Sequence, residues 1–368
     1  MFSDIPHSRP NHTAEDEAAV CAVLQSQMTA AGSLAQQLAE MLRLACLGEY
    51  ASATASGTLA LLAALQALGV RQGQAVILPT YVCAEVLDAI YYLKARPVLC
   101  DIDPCTFAPS AATVAAVRTP QVRAVIVPHL FGIPAGIEDI VKLGLPVVED
   151  LAQGLGAEGN GRAAGTWGAA SVLSFKAIKL LSSGEGGAVV MRDPEAAERL
   201  KNLHARRDPS QASFNFPLSD MAAGLALSQW RRLPGYIQRR RLLARQYLES
   251  LVDLTGRGLG LPSDFPGRAW FRFPLALPPG VRPLDIRRVM ARSGIQVRQP
   301  VDALLHRRLG LLASSFPVAE KIFARTLSLP LYPSLQAGEQ DKIIRVFRQA
   351  LNEIIAANYL DEMEIESG

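Results

Sequence analysis

The sequence predicts an α/β protein with a large domain on a mostly parallel, doubly wound sheet and a smaller C-terminal α/β domain. Three observations support this fold class. Short apolar runs alternate with helix-like stretches from about residue 50 to residue 193. These runs are apolar throughout, as expected for strands that are covered on both faces. After Asp220 the pattern changes to long helical stretches, which indicates a second unit.

Seven segments are predicted to be strands of the large sheet. In chain order they are residues 51–55, 75–79, 96–102, 122–131, 146–151, 169–175 and 186–191. Helix-like stretches such as SGTLALLAALQALG and CAEVLDAIYYLKA lie between them and give the β-α-β rhythm of a parallel sheet. Ligands of such sheets bind beyond the carboxyl ends of the strands, so we expect the functional side chains there.

The C-terminal third predicts a different arrangement. Two helical stretches, MAAGLALSQWRRL and YIQRRRLLARQYLESL, lead to the glycine- and proline-rich break TGRGLGLPSDFPGR. Beyond it we predict short strands in AWFRFPLAL and GIQVRQP, and helices in PLDIRRVMARSG and GEQDKIIRVFRQALNEIIAANYL. We therefore place the large domain, with an N-terminal arm, at residues 1–235 and the small domain at residues 236–368.

Composition argues against several classes of function. The net charge of +3, without a long basic block, gives no reason to expect nucleic-acid binding. Residues 51–70 carry no charge, but only about twelve of them are truly apolar, too few for a membrane span. The five cysteines lack C-x-x-C spacing and no signal peptide is recognised, so we expect a cytoplasmic protein without a metal site.

Polar residues follow two of the predicted strands. Gly57 and Thr58 open a helix after Ser56, where backbone N–H groups and a hydroxyl can bind phosphate, although Ser-Gly-Thr is also an ordinary helix start. Asp150 and Gln153 come at the end of a buried strand. A carboxylate there either caps a helix or faces a cation, such as a protonated ring nitrogen, with Gln153 as a nearby hydrogen-bond donor.

The segment SFKAIKLLSSGEGG contains two lysines, Lys176 and Lys179. Lysine forms Schiff bases with carbonyl compounds, and burial favours its neutral amine. The hydroxyl of Ser174, five residues before Lys179, could hold a phosphate. A phosphate site, an anion for a ring nitrogen, a hydroxyl and an amine together meet the needs of pyridoxal 5'-phosphate, which we predict to be the cofactor.

The sequence resembles the DegT/DnrJ/StrS-type sugar aminotransferases, a branch of the fold-type-I pyridoxal phosphate enzymes. The motifs that carry the resemblance occur in the family's order and span nearly the whole chain. They are SGTLALLAAL, ILPTYV, DIDPCTF, VPHLFG, VEDLAQGLGA, SFKAIKLLSSGEGGAVV, FNFPLSDMAAGLALSQW and LSLPLYPSL.

The resemblance implies roles for single residues. Lys179, rather than Lys176, aligns with the lysine that binds the cofactor covalently. Asp150 would face the pyridine nitrogen and Gln153 the phenolic oxygen of the ring. The residues implied around the phosphate are Gly57, Thr58 and Ser174. Asn215 would reach the phosphate of the other subunit's cofactor, which implies a homodimer with shared active sites.

The sequence also departs from the family pattern on the substrate side. Where the family commonly stacks an aromatic ring on the cofactor, this chain has Cys83, with Tyr81 as a possible substitute. The arginine often found two residues after the loop asparagine is Pro217 here. The substrate motif of the small domain is reduced to RQPVDALLH, which keeps only Pro300 and His306.

The resemblance implies transamination: an amino acid, with glutamate favoured, would donate its amino group to a keto sugar, with a nucleotide-linked sugar favoured. A cyclitol or another small ketone remains open as acceptor. A sugar dehydratase is disfavoured because family members of that kind replace the lysine with histidine. A non-catalytic sensor of the cofactor or a sugar would not need Lys179. We expect His129 to be structural, and His306 to contact substrate or cap a helix.

Overall fold

The computed structural model describes residues 4–204 and 215–366, and for residues 358–366 only the backbone. In this part of the chain the strands are β1 (Tyr50–Thr54), β2 (Ala75–Pro79), β3 (Arg96–Cys100), β4 (Val122–Pro128), β5 (Val147–Asp150), β6 (Glu158–Gly159), β7 (Arg162–Ala163), β8 (Ala170–Ser174), β9 (Gly187–Met191), β10 (Phe273–Ala276) and β11 (Thr326–Leu329).

The described helices lie before, between and after these strands. They are α1 (Ala14–Ser26), α2 (Ser33–Ala45), α3 (Gly57–Ala67), α4 (Glu85–Tyr92), α5 (Ala111–Val117), α6 (Ile137–Val141), α7 (Pro194–His204), α8 (Asp220–Leu251), α9 (Pro283–Arg292), α10 (Leu305–Arg308), α11 (Pro317–Arg325) and α12 (Ala337–Glu366). Within the described ranges, no helix has the length and apolar character to cross a membrane.

Seven strands form the central sheet in the order β1-β9-β8-β5-β4-β2-β3. Strand β9 runs antiparallel to both neighbours, β1 and β8, and the other strand pairs are parallel. All seven predicted strands are present. The fold-class prediction is therefore confirmed, because uniformly apolar segments such as β2 and β9 are buried along their whole length.

The two helical stretches predicted after Asp220 form one continuous helix, α8, of 32 residues. Pro234 lies inside it, where proline removes one backbone hydrogen bond and normally kinks or breaks a helix. Packing on both sides of the proline compensates: Leu233 lies in a core cluster with the large sheet, and Tyr247 lies in a second cluster. The proposed domain boundary at residue 235 thus falls inside a helix that contributes to both cores.

The second core surrounds a small sheet in which β10 pairs with β11 in antiparallel fashion. The prediction of a strand in GIQVRQP is wrong: this segment makes only isolated bridges, Ile295 with Ile5 and Arg298 with Ser328. Its hydrogen bonds are divided between two partners, so no continuous ladder forms. The N-terminal arm therefore packs on the small sheet through Ile5, which is buried in the second core.

Candidate active site

Helix α3 begins at the carboxyl edge of the central sheet. Ser56 is extended, and its Oγ accepts a hydrogen bond from the N–H of Leu59 at 3.2 Å, which fixes the first turn. The first N–H groups of a helix have no acceptor within the helix, and the helix dipole makes this end positive. Gly57 and Thr58 are the first two residues of α3 and therefore lie at an end that favours anions.

The end of β8 meets this helix terminus. A Cβ atom on Gly57 would lie 2.9 Å from the Cβ of Ser174, so only glycine allows this approach. A Cβ atom on Gly187 would lie 2.6 Å from the backbone nitrogen of Gly57. The structure thus brings the proposed phosphate residues Gly57, Thr58 and Ser174 together, because the two glycines let the start of α3 pack closely against the strand ends.

Asp150 ends β5, the strand beside β8. Its Oδ1 accepts a hydrogen bond from the N–H of Ala152 at 2.8 Å, which holds the carboxylate at the strand tip. Burial raises the pKa of Asp150, while this N–H group and the charge of Lys179 act in the opposite direction. A cation beside Asp150 would therefore stabilise the charged form of this buried carboxylate.

The two lysines of the SFKAIKLLSSGEGG segment have different environments. Lys176 is exposed, and its carbonyl accepts the backbone N–H of Lys179 at 2.8 Å in a tight turn. The side chain of Lys179 is partly buried, with Nζ 5.5 Å from the ring centroid of Phe271. Burial lowers the pKa of Lys179, although the nearby Cys83 and Asp150 raise it. Only Lys179 shares the site of Asp150.

Gln153 follows Asp150 at the same edge of the sheet. Its Oε1 accepts a hydrogen bond from the backbone N–H of Phe131 at 3.1 Å. This bond uses the acceptor of the amide and orients the side chain so that its NH₂ group remains a donor. Phe131 has a left-handed backbone, with φ of 59°, so the bend that carries this N–H group is sharply defined.

Tyr81 and Cys83 occupy different environments after β2. Tyr81 is fully buried and packs against the rings of Phe107, at 6.0 Å, and Phe131, at 6.5 Å. Cys83 is exposed in the single chain, close enough to Asp150 and Lys179 for its thiol to be affected by their charges. Cys83, rather than Tyr81, therefore lies beside Asp150 and Lys179.

His129 and Glu149 form a buried pair behind Asp150. The Nδ1 atom of His129 accepts the N–H of Ala135 at 2.9 Å, and Nε2 lies 3.0 Å from Oε2 of Glu149. Both ring nitrogens are used within the fold. The carboxylate of Glu149 also accepts three backbone N–H groups, from Gly165, Trp167 and Gly168, at 2.6–2.7 Å. Sequence reasoning missed Glu149, although a second carboxylate inside the buried run VVEDL was a signal.

We expect Glu149→Gln to lower the free energy of unfolding by about 2–4 kcal/mol at pH 7, since an amide NH₂ group would then face buried N–H donors. Burial would raise the pKa of Glu149, but the hydrogen bonds from His129 and the backbone lower it overall. This stabilisation is therefore complete above the unfolded pKa and is lost as the pH falls through the folded pKa.

Urea unfolding at pH 7 and in steps below pH 4.5 measures this effect. The difference between wild type and Glu149→Gln should shrink as the solution becomes more acidic. Glu198→Gln, a change of the same kind at an exposed position of α7, is the matched control and should leave the midpoint unchanged. Equal midpoints for the wild type and Glu149→Gln at pH 7 would show that the carboxylate does not stabilise the fold.

His306 connects the 300–320 region to the large sheet. Its Nδ1 lies 2.7 Å from Oγ1 of Thr80, and its Nε2 lies 2.8 Å from Oε1 of Glu320. The ring also stacks on Phe316, with centroids 4.4 Å apart. Of the two roles left open by the sequence, these contacts favour a structural one.

Arg272 is a further residue that sequence reasoning missed, because FRFPL was interpreted only as a strand. Its Nη1 donates to the carbonyl of Pro300 at 2.8 Å, and its Cζ lies 5.5 Å from the ring centroid of Phe271. Lys179 lies at the same distance from that ring. Burial lowers the pKa of Arg272, whereas the nearby Tyr81 raises it. A second cation therefore lies near Lys179.

Asn215 is the first residue described after the gap, and it is exposed. The next two residues attach the segment to the end of β1: the carbonyl of Phe216 accepts the N–H of Ala55 at 2.9 Å, and Pro217 pairs with Thr54. Asn215 thus lies near the strand that leads into α3. Phe214, from the same FNF motif, lies outside the described residues.

Comparisons with known proteins agree on one family. Residues 10–348 match the model of the DegT/DnrJ/EryC1/StrS aminotransferase family. The chain is 30% identical to the aminotransferase TlmJ from Streptoalloteichus hindustanus, with a TM-score of 0.87 over 95% of this chain and 100% of that one. DesV from S. venezuelae, solved in complex with a ketimine intermediate, is 29% identical, with a TM-score of 0.84 over 92% and 94% of the chains. DesI, solved in the presence of its TDP-sugar product, is 27% identical, with a TM-score of 0.88 over 99% and 96%.

Proposed function

Since this chain belongs to the DegT/DnrJ/EryC1/StrS aminotransferase family and is a pyridoxal phosphate-dependent aminotransferase, we propose that it transfers an amino group from glutamate to a nucleotide-linked keto sugar. The observation that carries the proposal is the partly buried Lys179 beside Asp150, at the edge where α3 and Ser174 meet. We take the site residues to be Gly57, Thr58, Asp150, Gln153, Ser174, Lys179 and Asn215, of which Lys179 and Asp150 are catalytic.

The donor set of this site fits pyridoxal phosphate. The N-terminus of α3 and the hydroxyl of Ser174, which Gly57 allows to lie close together, would hold the phosphate. Asp150 would hold a proton on the ring nitrogen by electrostatic attraction, and the NH₂ group of Gln153 would donate to a ring oxygen. When bound, the cofactor supplies an electron sink for charge that develops on the substrate carbon.

Lys179 would perform the proton transfer. Burial shifts its amine toward the neutral form, and a neutral Nζ can accept a proton from the substrate carbon. The same atom can return the proton to a neighbouring position, because the flexible four-carbon side chain of lysine lets Nζ reach both. The buried ring of Phe271, whose centroid lies 5.5 Å from Nζ, restricts the access of water to this amine.

The nucleotide-linked acceptor is supported by DesI, which was solved with a TDP-sugar product. The enzyme that has already reacted with glutamate, and so carries the amino group on its cofactor, can be mixed with TDP-linked keto sugars, free keto sugars, keto cyclitols and small ketones. We expect the TDP-linked sugars to restore the original cofactor spectrum fastest. Faster reaction with a cyclitol or a free ketone would replace the proposed acceptor while leaving transamination intact.

The remaining alternatives are less well supported. Lys179 disfavours a dehydratase, and the proximity of Lys179 to Asp150 disfavours a sensor, because binding alone does not require an acid–base lysine. We expect the protein in the cytoplasm, which agrees with its five free cysteines.

We also propose a homodimer in which Asn215 completes the partner's site. Mixing inactive Lys179→Ala with inactive Asn215→Ala should then restore about a quarter of wild-type activity, because half of the dimers are hybrids and each hybrid has one intact site. Lys179→Ala mixed with the double variant is the control and should stay inactive. If the first mixture also stays inactive after confirmed subunit exchange, the sites are not shared.

A further inference from the structure

Arg272 lies directly before β10, in the same region as Lys179. The Cζ atom of Arg272 and the Nζ atom of Lys179 each lie 5.5 Å from the ring centroid of Phe271, so their separation cannot exceed the sum of these two distances. Burial is the largest cause of the lowered pKa of Lys179, and the positive charge of Arg272 lowers it further. Arg272 is therefore a cation of the active site to which the cofactor gives no role.

The fold holds one side of the Arg272 guanidinium and leaves the other side free. Nη1 donates to the carbonyl of Pro300 at 2.8 Å, and Nε is buried without a hydrogen-bond partner. Nη2 also makes no hydrogen bond to the described residues, but it is not one of the buried atoms, and the side chain as a whole is only partly buried. Nη2 is therefore the donor that a bound molecule can reach.

The charges around Arg272 leave this donor without an anionic partner. Burial lowers the pKa of Arg272, and the charge of Arg298 lowers it further. Tyr81, Asp302 and Cys83 raise it, but within the described ranges Asp302 forms no ion pair with Arg272. An arginine side chain stays protonated at neutral pH, so its charge is available to an anion of the substrate.

The proposed reaction with an amino acid brings one carboxylate to this part of the site. The donor must present the proton on its reacting carbon to Nζ of Lys179. Its carboxylate is bonded to that same carbon and therefore lies close to Nζ, whatever the rest of the molecule contacts. Asp150 is an acid and cannot attract this group, whereas Arg272 has both the opposite charge and a free N–H donor.

We propose that Nη2 of Arg272 binds the carboxylate on the reacting carbon of the amino donor, an inference that rests on the proposed transamination. Hydrogen bonds between a guanidinium and a carboxylate are short and strong because both groups are charged. Such a bond would orient the donor so that the proton to be removed faces Lys179. Arg272 then determines specificity for donors with this carboxylate and has no such role toward a keto acceptor that lacks one.

The test compares amino donors that differ in which carboxyl group is an amide. L-Glutamate has both carboxylates, L-glutamine keeps the one on the reacting carbon, and L-isoglutamine has an amide there. Single-turnover absorbance gives the saturation constant of each donor. We expect Arg272→Met to weaken glutamate and glutamine by about tenfold or more, and isoglutamine by no more than about twofold. An equal loss for all three donors, or a loss that spares glutamine, would overturn the proposal.

Two measurements separate binding from a general defect of the site. Titration calorimetry with 2-methyl-L-glutamate, which has no proton on the reacting carbon, should show about the same loss of affinity without turnover. The saturation constant of a keto acceptor without a carboxylate should stay at the wild-type value in Arg272→Met. An acceptor weakened as much as glutamate would mean that the substitution disturbs the whole site, and the proposal would fail.

Further variants complete the test. Arg292→Met, at an exposed position of α9, removes the same charge elsewhere and should change no saturation constant. Should Arg272→Met fail to fold, Arg272→Lys keeps a cation without the fork of donors and should weaken glutamate severalfold. Wild-type affinity for glutamate in whichever of the two position-272 variants is folded would overturn this inference alone. A wild type that reacts with no amino acid would instead contradict the proposed function.

Discussion

Replacing Lys179 with alanine is expected to abolish the covalent link to the cofactor and to slow the reaction with glutamate by about 10⁴-fold, the upper end of what an acid–base residue contributes. The reason is that Lys179 is the lysine near Asp150 with a pKa lowered by burial. In the wild type the purified enzyme should be yellow, and the variant should lack that absorbance. Single-turnover absorbance measurements check both effects.

Lys176→Ala is the matched control, because Lys176 is an exposed lysine three residues away on the same turn. It should keep the yellow colour and the rate of the half-reaction. Borohydride reduction followed by peptide mapping should place the trapped cofactor on Lys179. Recovery of the cofactor on Lys176 instead would show that the assignment is wrong.

The second large effect is expected for Asp150→Asn, which keeps the shape of the side chain and removes its charge. A loss of about tenfold to a thousandfold in the glutamate half-reaction corresponds to about 1.4–4 kcal/mol. This is the effect of raising a nearby cation's pKa by about one to three units. The variant should still bind the cofactor, because Lys179 and the phosphate residues are unchanged.

The competing interpretation is that Asp150 only orders the turn after β5 through its bond to Ala152. That role predicts a loss of about 1 kcal/mol of stability and little loss of rate. Single-turnover kinetics and thermal melting separate the two roles, with Asp139→Asn at an exposed position of α6 as the control. A lower melting temperature with unchanged kinetics would assign Asp150 to the turn alone.

The strands could be predicted because burial on both faces leaves a uniform signal in the sequence. The segment AVILP, predicted as a strand over residues 75–79, forms β2 with the same first and last residues. The continuity of α8 could not be predicted, because the packing that carries the helix through Pro234 involves residues distant in sequence. GIQVRQP was predicted as a strand because of its composition. In the structure it bridges Ile5 at one end and Ser328 at the other, two residues that are distant in sequence, and so it forms no continuous strand.

Position and chemistry identified candidate site residues at strand ends, and the structure brings two of them, Gly57 and Ser174, close together. Sequence reasoning did not identify Arg272. It becomes notable only through its partial burial and unpaired N–H groups, which depend on the three-dimensional surroundings. The different burial of Tyr81 and Cys83 likewise could not be predicted from the sequence, since it depends on the packing around them.

The central claim is that this chain accepts an amino group from glutamate through Lys179. Its most direct test is a single turnover of the cofactor-loaded enzyme with glutamate and no acceptor. We predict that the yellow absorbance disappears while 2-oxoglutarate appears in an amount equal to that of the active sites. An unchanged spectrum and no 2-oxoglutarate, from an enzyme shown to contain the cofactor, would contradict the claim.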